Sequence, residues 1–396
     1  MLYGSMDPNE RFRARRAQAR RRRRRRRAAG AGVLLAGVLA LGTGWQLRST
    51  GLRAVGHVER GNARVASASP PLATPTAVRP RPLPIEIRGI HVTGALASLP
   101  GKLREYAALR SRGLNTIVLD VKDEGGIVSF APAGVPLALR AGAVRRDYDP
   151  GAVARMLHAQ GIYLIGRVVV FQDPPLARAR PDLAVHRAGG GIWTTPAGLA
   201  WVDPYDRRVW RYDVGIARAA ARAGFDEIMF DYVRFPTDGS IASAVYPAQT
   251  RERRGQVIER FVSYASSRLR PLRVRLSTAV FGLSATRDLR IGQVPRWLGA
   301  RVDTISPMAY PVLYGAGELG LQQPSALPGE TVFRTLIDFR RQLRGLPTHL
   351  VPWIQDWGYD LEQVRAQIEA ARLQGAKGYL LWNANGVYTP GALAAP

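Results

Sequence analysis

The sequence predicts an α/β protein whose folded part is a closed (β/α)8 barrel, carried behind a single membrane-spanning segment. Three observations carry this reading. Eight short apolar or β-branched runs recur from residue 85 onward. The stretches between them are long and amphipathic, as crossovers between parallel strands must be. Ahead of them stand an unbroken arginine run, an uncharged apolar run and a proline-rich run, in that order.

Taken from the amino end, residues 1–27 hold twelve arginines against only Asp7 and Glu10, and close on continuous Arg20 to Arg27. Residues 28–47 are twenty positions without a charge. At about 1.5 Å per residue a helix of that length spans about 30 Å, the thickness of a bilayer's hydrocarbon core. The basic flank holds the amino end in the cytoplasm, and Trp45 sits where an interfacial aromatic would. A cleaved signal peptide is the alternative. Its visible processing triplet, Ala66-Ser67-Ala68, lies too far beyond the apolar run, which favours an uncleaved signal-anchor. Residues 48–84 lack apolar periodicity and carry Pro70, Pro71, Pro75, Pro80, Pro82 and Pro84. Fixed φ angles and missing N–H groups make them a semi-extended spacer. Residues 85–396 are therefore expected outside the cytoplasm, tethered to the cell membrane by one pass.

The strand-like runs are 88–93, 116–121, 163–171, 227–233, 274–281, 304–310, 350–355 and 378–383. Each is short, mainly apolar and bounded by turn residues, as strands covered on both faces are. Helical spacing of apolar residues marks 102–112, 150–160, 206–223, 250–269, 330–343 and 361–373, with a short helix near 293–299. Gly113, Gly161, Gly224 and Gly375 stand where helices end before the next strand. Too few residues follow the eighth run for a full last helix. A doubly wound open sheet is the alternative. It would carry a glycine-rich phosphate fingerprint after its first strand, and the sequence has none.

Composition excludes several chemistries. The chain has no cysteine, so disulfides, thiolate metal sites and thiol nucleophiles are out. The net charge is +27, yet of 57 basic residues only Lys102, Lys122 and Lys377 are lysine. Such a bias reads as composition rather than as a nucleic-acid surface. The arginine run beside the apolar segment sets topology instead. The five histidines, His57, His91, His158, His186 and His349, show no ligand spacing, and no metal or cofactor is expected.

Barrel sites lie at the carboxyl ends of the strands. Those ends carry Asp120-Val121-Lys122-Asp123-Glu124, Asp231-Tyr232-Val233-Arg234, Tyr310, Trp353-Ile354-Gln355-Asp356-Trp357 and Trp382-Asn383. Carboxylates and aromatic rings converging on one rim suit glycoside hydrolysis, which needs two carboxyl groups about one bond. Asp231, closing the fourth strand, is the first choice, as nucleophile or base. Asp356, between Trp353 and Trp357, is its expected partner, with a pKa raised by desolvation to serve as acid. Asp120 is the third catalytic candidate. Asp123 and Lys122 are expected to contact substrate, Lys122 as a point charge bridging Asp120 to a substrate oxygen. Arg167 and Arg234 are expected as clamps, with Arg234 holding Asp231 ionised. Tyr232, Tyr310, Trp353, Trp357 and Trp382 would offer rings to sugar faces, with Asn383 beside them. His91 reads as a satisfied core or rim residue.

These stretches also resemble a family. IRGIHVTG, LNTIVLDVKDEGG, FDEIMFDYVRFPTDG, VDTISPMAYPVLY, PWIQDW and GYLLWNANGVYT are similar to the bacterial putative glycoside hydrolase-like domain, a domain of unknown function related to glycosidase barrels. The resemblance runs from about Ile85 to Pro390. It implies a barrel acting on a glycan. With the external placement expected from the amino end, the substrate is expected to be an envelope or extracellular polysaccharide, the alternative being an inactive barrel that binds such glycans. The fourth run is distantly similar to the strand-four signature of chitinase-type barrels, with Asp226 and Asp231 in place of two of its aspartates. The glutamate those enzymes use as acid is missing. Tyr232 and Val233 stand in its place, so their mechanism does not transfer.

Overall fold

All eight runs join one parallel sheet in the computed structural model, which describes residues 81–394. The strands are β1 (Ile87–Val92), β2 (Thr116–Lys122), β3 (Tyr163–Val169), β4 (Glu227–Asp231), β5 (Arg275–Phe281), β6 (Thr304–Ala309), β7 (His349–Leu350, resuming as Trp353–Gln355) and β8 (Gly378–Trp382). Each pairs with the next. Ile87 opposite Gly378 joins β1 to β8, and Trp353 opposite Met308 joins β7 to β6, so the ring closes and leaves no edge. The gap in β7 has a covalent cause. Pro352 has no N–H for the ladder, although its carbonyl still accepts from the Leu380 amide at 2.9 Å.

One main helix lies between each two consecutive strands: α1 (Lys102–Ala108), α2 (Pro150–Ala159), α3 (Arg207–Arg222), α4 (Arg254–Leu269), α5 (Pro295–Gly299), α6 (Pro328–Leu343) and α7 (Leu361–Leu373). Shorter helices, Gly94–Ala97, Pro136–Arg140 and Pro174–Ala179, lie in the same connections. Asp149, Asp206 and Asp360 cap α2, α3 and α7 by accepting amides of the first turn. Among the described residues no helix follows β8. An antiparallel ribbon of His186–Arg187 with Ala244–Val245 ties the loops after β3 and β4 together. Two-residue strands leave no period in a sequence, so this one is legible only in the fold.

Alternation along the strands sorts the core. Ile117, Leu119, Leu164, Val168 and Phe230 face outward to the helices, while Val118, Ile165, Met229, Trp353 and Leu380 fill the barrel. Burial of each such large apolar side chain contributes about 1.5–3 kcal/mol.

One irregularity decides the site. Asp120 pairs with Arg167, but the next paired residue is Lys122, opposite Val168, and Val121 is skipped. This bulge leaves Asp120 facing inward and turns Lys122 to the outer side with Val168. There Lys122 is wholly buried, its Nζ 2.6 Å from both Asp173 and Asp213, the latter on α3. The expected bridge from Asp120 to substrate through Lys122 is therefore corrected: Lys122 fastens β2 to α3.

Among the described residues no helix is long and apolar enough to cross a membrane. The expected basic tail 1–27, the span 28–47 and the spacer as far as residue 80 lie outside the described residues.

Candidate active site

Consecutive strands β1 to β4 each place one polar side chain at the inward position near the carboxyl end: His91, Asp120, Arg167 and Asp231. All four are buried. Arg167 is the hub. Its Nε and Nη2 donate to Asp231 Oδ2 at 2.9 and 2.7 Å, and its Nη1 donates to Asp120 Oδ1 at 2.8 Å. Glu124, on the loop after β2, lies 3.7 Å from the same Nη1. His91 Nε2 meets Asp120 Oδ1 at 2.8 Å. Asp231 Oδ1 accepts from the Tyr232 amide at 2.7 Å. That contact accompanies a left-handed backbone at Tyr232, φ 54°, uncommon for a residue with a bulky side chain.

The electrostatics follow from crowding. Burial works to raise the Asp120 carboxyl, but His91 and Arg167 more than offset it, and the net shift is downward. Asp120 stays ionised, with its second oxygen, Oδ2, buried and unpartnered among the described residues. Arg167 is held protonated: its own burial opposes this, and Asp120 and Asp231 override it. Asp123 behaves in the opposite way. Burial, then the Glu124 and Asp120 charges, push its carboxyl up to about 6. Its Oδ1 accepts the Gly125 and Ile127 amides at 2.8 and 3.0 Å, in a turn that Gly126 completes with φ 76°.

Aromatic rings wall this cluster. Trp382 stacks on His91 with ring centres 4.0 Å apart and lies 5.1 Å from the Arg167 guanidinium. Trp353 meets both His91 and Trp382 edge-on. Tyr310 packs edge-on against Trp357 at 5.2 Å. Burial first, and then the Asp231 charge, raise the Tyr310 hydroxyl well above its ordinary value, so it remains a donor.

The remaining expected residues lie elsewhere. The ion pair that holds Asp231 comes from Arg167, a neighbour across strands rather than in sequence. Arg234 Nη1 donates to the Phe235 carbonyl and the Thr237 hydroxyl at 3.0 and 3.1 Å, among the rings of Trp201, Tyr232 and Phe281. Asp356 follows the inward Gln355 and turns to the loop after β8. Its two oxygens accept from the Thr389 hydroxyl and, at 2.9 Å, the Thr389 amide. Burial raises its carboxyl, the direction expected from its tryptophan neighbours. The hydrogen-bonded cluster thus joins Asp231 to Asp120, with Asp356 bonded to Thr389 instead. Asn383 Nδ2 donates to the Asp356 carbonyl and so braces that loop. Asp226 also falls outside the rim: it accepts from the Leu164 amide at 2.8 Å and contacts His158 at 2.9 Å, at the opposite end of β4.

Sequence reasoning undervalued two residues. His91 reads as a satisfied core or rim residue, and the fold sets its ring between Asp120 and Trp382. Glu124 stands in sequence beside Asp123, and the fold sets it 3.7 Å from Arg167. The signal available for both was position at the carboxyl end of a strand.

A family profile described as a putative glycosyl hydrolase domain matches residues 89–388. Among solved structures, the chain is similar to the PgaB (BpsB) glycoside hydrolase domain from Bordetella bronchiseptica, with 15% identity over 76% of this chain and 95% of that one and a TM-score of 0.57. It is similar to the C-terminal domain of a putative chitinase from Desulfitobacterium hafniense, with 11% identity over 78% and 97% and a TM-score of 0.50. A hypothetical protein from Ruminiclostridium thermocellum is 35% identical over 48% of this chain and 96% of its own, with a TM-score of 0.44. No curated protein matches. At such identities the first two likenesses speak to the barrel alone.

Proposed function

Because the chain belongs to the putative glycosyl hydrolase domain family, we propose that it hydrolyses glycosidic bonds of an envelope or extracellular polysaccharide. The observation that carries this reading is the sharing of one buried guanidinium, Arg167, by Asp120 and Asp231 in a mouth walled by Trp382, Trp353 and Tyr310. Glycosidic cleavage needs an ionised carboxylate facing the anomeric carbon and a protonated group facing the leaving oxygen. Asp231 supplies the first, held in place by Arg167 and the Tyr232 amide. Asp123, pushed up to about 6, supplies the proton. Asp120 fixes Arg167 and His91 and offers its unpartnered oxygen to a substrate hydroxyl. Positive charge builds on the sugar ring as the bond breaks, and the carboxylates around the mouth favour it.

We further propose that the barrel works outside the cytoplasm, tethered through residues 28–47. The order of basic, apolar and proline-rich runs supports this topology.

The test is turnover by the purified full chain on a panel of cell-wall and exopolysaccharide glycans, repeated with Asp231→Asn. The expected result is cleavage of at least one glycan, with kcat lowered about 10²-fold or more in the variant. Binding without cleavage across the panel would assign the barrel to glycan binding instead.

A further inference from the structure

The strand-end face that carries the Arg167 cluster also holds a concavity of about 950 Å³, which none of the chemistry above uses. It lies at the same end of the barrel, in the loops after β4, β5 and β6 and the first turn of α4. Phe281 links it to the Asp231 loop: its ring lines the groove and lies 4.7 Å from the Arg234 guanidinium, which in turn lies 5.0 Å from the ring of Tyr232, next to Asp231. The volume is at the upper end of what ligand pockets offer.

The walls are of two kinds. Leu283, Leu289, Val294 and the 44% exposed ring of Trp297 give an apolar floor suited to the C–H face of a sugar. Above it stand four arginines, Arg253, Arg254, Arg287 and Arg290, against two acids. Both acids are already committed. Glu318 pairs with Arg287 at 2.7 Å and also accepts the Gly315 amide, and Asp288 accepts the Arg290 amide at 2.7 Å. Arg253, Arg254 and Arg290 have no ion-pair partner among the described residues. Arg254 is nonetheless pinned, stacked on Phe235 and Tyr246 and donating to the Arg290 carbonyl at 2.8 Å. A fixed guanidinium flanked by two free ones is a receptor for carboxylate, sulfate or phosphate groups.

We propose that this groove binds the acidic sugars of an anionic polysaccharide next to the bond that is cleaved, which makes the substrate a polyanionic glycan. The proposal rests on the glycosidase reading above, and it is tested by binding alone, so a chain that turns nothing over still gives an answer. The full chain is titrated with oligogalacturonate, with a sulfated oligosaccharide and with a neutral maltooligosaccharide of equal length. The same titrations are made with Arg253→Gln/Arg290→Gln, and with a control, Arg112→Gln/Arg344→Gln, which removes two exposed arginines at the other end of the barrel. Circular dichroism confirms that both variants fold. The expected result is acidic oligomers bound more tightly than the neutral one, with about tenfold weaker binding in the groove variant and little change in the control. The oligomer most weakened by the groove variant identifies the anionic group. Equal weakening in both variants would reduce the effect to net charge and overturn the proposal. So would equal binding of acidic and neutral oligomers, or no binding of either acidic oligomer by the unmodified chain.

Discussion

Arg167 reaches one oxygen of Asp231 with two of its nitrogens, at 2.9 and 2.7 Å, across the pairing of β3 with β4. The bond fixes Asp231 without using its other oxygen, which the Tyr232 amide holds. A carboxylate fixed at both oxygens keeps one orientation, and the arginine cannot leave, because Asp120 holds its far side.

Removing the hub strands two buried carboxylates. Arg167→Met is expected to destabilise the domain by about 3–5 kcal/mol, measured by urea denaturation. Arg167→Lys keeps the charge but not the fork. It should recover much of that stability while kcat remains low. A lysine variant as active as the parent would show that geometry at Asp231 is unimportant.

With Asp123 as the proposed proton donor, activity has an alkaline limit. Asp123 loses its proton as pH rises through about 6, so kcat/KM should fall above that value. In Asp123→Asn the fall should vanish, together with about 10²-fold or more of the rate at pH 5. A variant that keeps the same alkaline limb would move the acid role to another group.

Asp356 separates two pairings of carboxylates. If Asp231 acts with the Arg167 cluster, Asp356→Asn leaves kcat near its parent value. It should instead cost about 1.5–3 kcal/mol of stability through weakened bonds to Thr389. A loss of kcat matching that of Asp231→Asn, with stability intact, would return Asp356 to the chemistry.

Glu227 lies at the opposite end of the barrel interior, with the Tyr163 hydroxyl donating to it at 3.1 Å. Burial pushes its carboxyl from 4.5 up to about 7. The folded state therefore holds a proton that the unfolded chain has released. Stability from this group is fully present below about pH 4.5 and is lost as pH rises through about 7, by up to about 3 kcal/mol. Glu227→Gln cannot titrate. It should flatten this part of the slope and be more stable than the parent at pH 8. Parallel urea curves for the two proteins from pH 5 to 8 would exclude the effect.

Topology has its own test. Protease added to intact cells should reach the chain near Pro70–Pro84 and release the barrel. Full protection in intact cells, with recovery in the soluble fraction, would contradict an external barrel.

The barrel was legible because strands covered on both faces must be apolar throughout, and eight such runs stand out between amphipathic stretches. The rim was legible as a place, since strand ends can be read from the runs themselves. Contacts were less so. Sequence proximity suggested Arg234 for Asp231, whereas a sheet makes neighbours of residues in register, and Arg167 precedes Val169, the partner of Asp231, by one inward step. The side on which Lys122 falls depends on the bulge at Val121, which no alternation pattern announces. Asp356 stood at the right strand end, but one residue of phase separates it from the inward Gln355.

The stack of His91 on Trp382 has a consequence in time. It joins the first strand to the last, and the Tyr388 hydroxyl, donating to the His91 carbonyl, ties the two ends again. Contacts so remote along the chain form only after the intervening loop has closed. The first half of the chain supplies His91, Asp120, Arg167 and Asp123, yet the rings of Tyr310, Trp353 and Trp382 that wall them arrive with the last three strands. During synthesis the cluster stays unfinished until β8 has emerged and docked. Until then the His91 ring lacks the Trp382 face it stacks on, and the buried charges behind it lie open to water.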